Sequence, residues 1–289
     1  MVSRVVAVSI AVIASVACEG PREGRDSSGL ELPAVHQVDA RGSAEALLAA
    51  ARSASGGSSE EPKSLVLRAT VTASWAPGRI GATYLKILLP DKLVRAELAP
   101  GGEDIRWTIL DGQTASGQIG DDRWKPTGDV AERLRRQLYV YLMAYFLRTG
   151  PNCMASRDDS NEFTIHLSCG RLVARFHDVG PRLWRITYSG TIRTASRDSA
   201  VQISPDSSAD ISKLFMFSDS ETKVERRFSD YRLVSGWMVP HTDTTIWDSS
   251  RSSTLTVESV RLNVPIGQSD FEEQPLPTDI REWIESVSK

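Results

Sequence analysis

Alternation of apolar and polar residues with a period of two is the feature that most narrows the folds open to this chain. In "LVLRATVTASW" (65–75) the odd positions Leu65, Leu67, Ala69, Val71, Ala73 and Trp75 are apolar, and Arg68, Thr70, Thr72 and Ser74 face the other way. Successive side chains of a strand point to opposite faces, so the pattern predicts a strand with one buried face. Further strands are predicted in "IGATYLKILL" and "KLVRAEL", on either side of a turn at "PD" (90–91). In "IRWTIL", Ile105, Trp107 and Ile109 share a face, and "DG" (111–112) follows as a hairpin signal. Strands joined by such short turns form an antiparallel meander, because parallel neighbours need long crossovers.

The second half repeats the theme. "EFTIHLS" and "RLVARFH" meet at "CG", which sets His166 opposite Val173. "LWRITYSGTIRT", "TKVERRFSDYRLVSGWMVP", "HTDTTIWDSS" and "STLTVESVRLNV" follow, with 195–220 reading mostly as loop. Two principal helices interrupt the strands. "SAEALLAAARSAS" (43–55) has Ser43 as N-cap and ends at "SGGSS". Residues 129–150 start at Asp129 and end at Gly150. The first half is amphipathic, with Val130, Leu134 and Leu138 opposite Glu132, Arg135 and Arg136. The second half, "YVYLMAYFL" (139–147), is apolar all round, which predicts burial on every side. It is too short to cross a bilayer. "DIREWIESV" predicts a short helix near the end. About ten antiparallel strands with these helices predict a mostly β, α+β fold. In it a strongly curved antiparallel sheet, or half-open β-barrel, has helices covering its concave face.

The N-terminus carries a different signal. Arg4 precedes an apolar run, Val5–Ala17, that stops at Cys18. The run has the length of a secretory signal and is too short for a membrane span. Ser15-Val16-Ala17-Cys18 resembles the cleavage site of bacterial lipoprotein signals, with Ser15 where Leu is usual. Residues 1–17 are therefore expected to be a signal peptide and Cys18 the lipidated residue, ordinary cleavage nearby being the alternative. Residues 18–41 mix Gly, Pro, Ser and charge and read as a tether. As a random coil the tether spans on the order of 25 Å. Residues 42–289 are expected to form one domain. Glu19, rather than Asp, follows Cys18, so the expected location is the outer membrane, lipid-anchored and facing the periplasm.

The chain has three cysteines. With Cys18 lipidated, Cys153 and Cys169 remain, and an oxidising periplasm would let them bridge. The short loop would contribute ~3 kcal/mol in the chain-entropy description. Two buried free thiols are the alternative.

The formal net charge is −3, which gives no basic face for nucleic acid. The four histidines, His36, His166, His177 and His241, form no short ligand pair, so neither metal nor cofactor is expected. "ILDGQTASG" lacks the Thr or Ser that an aspartic-protease loop places after Asp, and reads as a turn. "DDR" (121–123) reads as a solvated turn. No nucleophile elbow, phosphate loop or dinucleotide fingerprint is present.

Three stretches in order resemble the LolA/LolB superfamily of lipoprotein-sorting and lipid-binding periplasmic proteins. They are "WTILDGQTASGQI" (107–119), "DYRLVSGWMVPHTDTTI" (230–246) and "VESVRLNVPIGQSDFE" (257–272). The resemblance covers roughly residues 43–273. Leu89 stands before Pro90 where the family often has a basic residue, and Ser116 where it often has an aromatic. The family's lid-latching arginine is therefore not carried over. The resemblance implies a half-barrel lined by apolar side chains and able to hold acyl chains. Tyr141, Leu142, Tyr145, Phe146, Trp75 and Trp107 are the expected lining residues, and filling of a dry core is the alternative for the helical ones. The expected function is non-enzymatic. Its partners would be lipid or lipoprotein acyl chains, in lipoprotein sorting or lipid transport, and the membrane through the N-terminal lipid. The other reading is an envelope interaction module, a sensor or assembly subunit that binds a protein partner.

Overall fold

A computed structural model describes residues 43–56, 61–120, 122–124, 129–177, 182–196, 216–247, 251–272 and 275–288. The expected signal peptide, Cys18 and the expected tether lie outside these residues. The described residues belong to one unit, Val35–Lys289. Helix α1 (Ala44–Gly56) comes first. The strands β1 (Ser64–Ala73), β2 (Ile80–Leu88), β3 (Lys92–Leu98), β4 (Arg106–Asp111), β5 (Thr114–Ile119) and β6 (Asp122–Trp124) follow as a meander. Helix α2 (Asp129–Tyr141) runs into a π-helical segment, Leu142–Phe146. Then come β7 (Ala155–Asp158), β8 (Asn161–Leu167), β9 (Leu172–Phe176), β10 (Leu183–Ser196), β11 (Met216–Val234), β12 (Trp237–Trp247) and β13 (Arg251–Leu262). Helix α3 (Thr278–Val287) ends the described chain.

All thirteen strands form one antiparallel sheet in the order β6-β5-β4-β3-β2-β1-β13-β12-β11-β10-β9-β8-β7. The chain thus builds two meanders and joins them in the middle, where β1 pairs with β13. In place of the turn expected at 121–123, Asp122 and Arg123 pair, with Trp124, as a short edge strand on β5. The register at "CG" is the expected one, His166 opposite Val173.

The sheet is curved, and its core requires it. Leu93 and Leu110 of β3 and β4 share one buried cluster with Ile165 and Leu167 of β8. Nine strand spacings separate β4 from β8, about 43 Å in a flat sheet. The helices in that cluster, α1 and the α2–π unit, are each only about 10 Å across. The walls must therefore wrap around them. Arg95 of β3 donates to Gln137 Oε1 of α2 at 2.7 Å, and the Arg226 guanidinium of β11 lies 4.9 Å from the Tyr141 ring one turn further on.

Both faces of β1–β4 are buried. Leu65, Leu67, Leu85 and Ile87 enter the concave cluster. Val66, Ala82, Tyr84, Val94, Trp107 and Ile109 enter a second cluster on the convex face, beneath Ile280 and Ile284 of α3 and Phe271 of a 3₁₀ turn (Gln268–Phe271). Among the described residues no helix is long and apolar enough to cross a membrane.

Candidate functional site

The segment 140–147 lies at the centre of the concave face. Every residue from Val140 to Leu147 is buried, and Tyr145 is 0% exposed. An amphipathic helix buries a stripe and leaves a polar back. This segment has no polar back, and its surroundings supply the missing cover. The wider π-turn begins at Leu142, inside the apolar run. It ends at Leu147 with φ +52°, and Arg148 N–H donates to the Leu142 carbonyl at 3.2 Å. Two side chains satisfy carbonyls that the short π-turn leaves open. Trp237 Nε1 donates to the Tyr145 carbonyl at 3.0 Å, and the Arg52 guanidinium of α1 donates to the Leu147 carbonyl at 3.0 Å.

Polar groups are embedded among the apolar ones. Arg226 and Asp243 form a buried, two-pronged ion pair, with Nε to Oδ1 at 3.1 Å. Such pairs hold only when both charges are matched and hydrogen-bonded. The Arg226 guanidinium also lies over the rings of Tyr141 and Phe228, at 4.9 and 5.6 Å. The Tyr145 hydroxyl is buried without a hydrogen-bond partner. Burial pushes the Tyr145 hydroxyl well above its ordinary pKa, and raises Tyr188 and Tyr231 for the same reason. Burial opposes charge on Arg95, but Glu97 beside it holds the guanidinium above its ordinary value. An unpartnered buried hydroxyl costs about 1–3 kcal/mol, so this face is less settled than a plain apolar core.

The expected lining residues divide into two groups. Tyr141, Leu142, Tyr145 and Phe146 come together in the concave cluster. The rings of Tyr141 and Tyr145 lie 6.2 Å apart. Trp107 does not join them. It is on the opposite face of β4 and packs in the convex cluster, because the alternation that buries Ile109 there carries Trp107 with it. Trp75 does not join them either. β1 ends at Ala73, so Trp75 falls in the turn beyond, 47% exposed, edge-on to Trp247 at 5.4 Å. Sequence reasoning missed Arg226, Asp243 and Trp237. Arg226 and Asp243 lie in β11 and β12, and their diagonal placement needs the register of that pair.

Cys153 and Cys169 are joined by a disulfide, with Cα atoms 5.0 Å apart. It ties the loop leaving the π-segment to the β8–β9 turn. Gly150 opens that loop where the Tyr139 ring presses on the backbone, and a Cβ there would collide with the ring. Outside α2, against this bridge, lies a groove of about 280 Å³ whose lining includes Glu132, Arg135, Arg136 and Tyr139. Among the described residues no three His, Cys, Asp or Glu side chains gather as a metal site.

No family model matches this chain, and no curated protein does. Solved structures do. A LolA superfamily protein from Nitrosomonas europaea is 10% identical, with a TM-score of 0.49 over 80% of this chain and 98% of the other. A domain described as an outer membrane lipoprotein-sorting protein, from Vibrio parahaemolyticus, is 8% identical, with a TM-score of 0.41 over 72% and 89%. A DUF1329 family protein from Desulfovibrio piger is 9% identical, with a TM-score of 0.30 over 74% and 91%.

Proposed function

We propose that this chain is a lipid-anchored protein of the bacterial cell envelope that binds an acyl chain, of a lipid or a lipoprotein, without catalysis. The observation that carries the reading is the segment 140–147. It is buried on every side, wound as a π-helix in its middle, seated in a curved sheet, and carries the Tyr145 hydroxyl without a partner. π-turns concentrate at functional sites. The concave core is filled in this state, so an acyl chain enters by parting this segment from the wall around it, with Leu142 against the chain. The bonds from Trp237 and Arg52 and part of the segment's apolar packing are given up. Each methylene buried in exchange is worth ~0.8 kcal/mol. The signal residues before Cys18 support anchoring, and Glu19 supports the outer membrane facing the periplasm.

The test uses the full chain carrying Cys18→Ser, with a fluorescent fatty acid or a lipopeptide as probe. Saturable uptake is expected. Leu142→Glu should weaken it at least ten-fold with unchanged circular dichroism, because a carboxylate is costly in an apolar site. No uptake by folded wild type overturns the reading. A second reading then stands first, an interaction module for an envelope protein partner. It is favoured by the β10–β11 ribbon, which continues past the paired parts of β9 and β12 from Ser189↔Lys223 to Ser196↔Met216. That extension is about 26 Å of two-stranded backbone at 3.3 Å per residue.

A further inference from the structure

We infer that the groove outside α2 is a phosphate-binding site, a deepening that rests on the acyl-chain reading above. The groove lies where the two halves of the curled sheet approach each other. Gln113, from the β4–β5 turn, stands on one bank, and Cys169 and Gly170, from the β8–β9 turn, on the other. Its floor is a single stripe of α2. Glu132, Arg135, Arg136 and Tyr139 recur at i, i+3, i+4 and i+7, which places them on one face of the helix. That stripe is distinct from the one that Ala131, Leu134 and Leu138 bury.

Charge and size select the ligand. The lining carries two guanidinium groups and one carboxylate. The volume, about 280 Å³, is near the lower end for small-molecule sites and suits a headgroup better than an acyl chain. Guanidinium forks match the oxygens of a phosphate two at a time. The site is also held in shape. Arg136 lies against the β8–β9 turn at Gly170, where φ is +68° and a Cβ would stand 2.8 Å from Arg136 Cγ. The Cys153–Cys169 bridge fixes that turn, and Glu132 steadies Arg136 at 3.4 Å. Arg135 makes a long bond, 3.4 Å, to the Gln113 carbonyl, which an anion in the groove would replace. Tyr139 joins this site to the other one. It lines the groove and also packs against the concave core. A molecule with its acyl chain in the core and its phosphate in the groove would straddle that ring, which is the layout of a phospholipid.

The experiment titrates the full chain, carrying Cys18→Ser, with three probes: a short-chain phosphatidylglycerol, inorganic phosphate, and a fluorescent fatty acid. Arg135→Gln with Arg136→Gln should weaken the phospholipid about ten-fold or more, the loss expected for charge-assisted hydrogen bonds, and leave the fatty acid within about two-fold. Glu132→Gln removes the competing carboxylate and should tighten the phospholipid a few-fold, a gain that damage to the fold would not produce. Arginine-dependent binding of inorganic phosphate alone identifies the free anion as the ligand, and binding of the phospholipid alone identifies the headgroup. Unchanged phospholipid affinity in both the double and the Glu132 variants overturns the groove and leaves the acyl-chain reading intact. Phosphate binding with no fatty-acid uptake does the reverse. Absence of all three overturns both.

Discussion

The two faces of the sheet are packed on opposite terms. On the convex face, α3 is an ordinary amphipathic helix. Ile280 and Ile284 go down onto Val66, Tyr84, Val94 and Trp107, and Glu282 and Glu285 stay exposed. Polar contacts sit at the rim, where Lys86 meets Asp270, Lys92 meets Asp111, and Arg68 lies over Trp283. On the concave face the covering element is partly π-helical, and an ion pair is buried among aromatic rings near the Tyr145 hydroxyl, which has no partner. Strands β1–β4 supply both faces, but the buried ion pair comes from β11 and β12, which give the convex cluster nothing. The convex cluster is apolar with its charges at the rim, whereas the concave one leaves the Tyr145 hydroxyl short of a partner, the kind of local conflict that natural folds concentrate at functional sites.

The largest effects should come from breaking each face at its centre. Trp107→Ala empties the convex cluster and should cost about 3–5 kcal/mol in urea unfolding, with uptake of the fluorescent fatty acid unchanged in the molecules that remain folded. Asp243→Ala leaves Arg226 buried without its counter-ion and should cost about 3 kcal/mol. Here the faces part: replacing both Arg226 and Asp243 by apolar residues should recover most of that loss, whereas no second substitution of that kind is open to Trp107.

The strands were legible because half-buried strands alternate, and the meanders because "PD", "DG" and "CG" are turn chemistry. The disulfide followed from the cysteine count. The place of Trp107 was not legible. Alternation says which residues share a face but not which face is concave, and β4 is buried on both. Trp75 extended the alternation of its strand by one step too many, into a turn. The all-apolar run 139–147 announced burial, but its π-geometry depends on Leu147 and on bonds from Arg52 and Trp237, residues 95 and 92 positions away. Arg226 and Asp243 look like surface residues in a polar strand pair. Only the curl of the sheet turns them inward.

Smaller effects are read against pH. On the concave side, Tyr145→Phe removes an unpartnered hydroxyl and should raise stability by about 1 kcal/mol. The alkaline limb should move with it. Burial lifts the folded-state values of Tyr145, Tyr188 and Tyr231 above the unfolded value of about 10. Above pH 10 the unfolded chain gives up protons that the folded chain keeps. Stability is therefore whole below that pH and lost as pH rises toward the folded values. The urea midpoint between pH 9 and 11 should fall less steeply in Tyr145→Phe than in wild type.

The smallest effect belongs to the convex rim and has the opposite sign. The hydrogen bond from Lys86, at 2.7 Å, holds Asp270 below its ordinary carboxylate value, and the Gly267 N–H adds to it at 2.8 Å. Lys92 and Gln268 do the same for Asp111. A carboxylate depressed in the folded state contributes stability that is present above the unfolded value, about 3.9, and lost as pH falls through the folded one. Both carboxylates are partly exposed, so each ion pair should be worth no more than about 1 kcal/mol. Asp270→Asn should therefore lower stability slightly at pH 7 and flatten the loss between pH 4 and 2. It should also touch the alkaline limb, because Tyr84 of the convex cluster is raised by burial and Asp270 raises it further. An acid limb that Asp270→Asn leaves unchanged would mean that the rim carboxylates do not set it, and the ion pair with Lys86 would then contribute nothing to the convex packing.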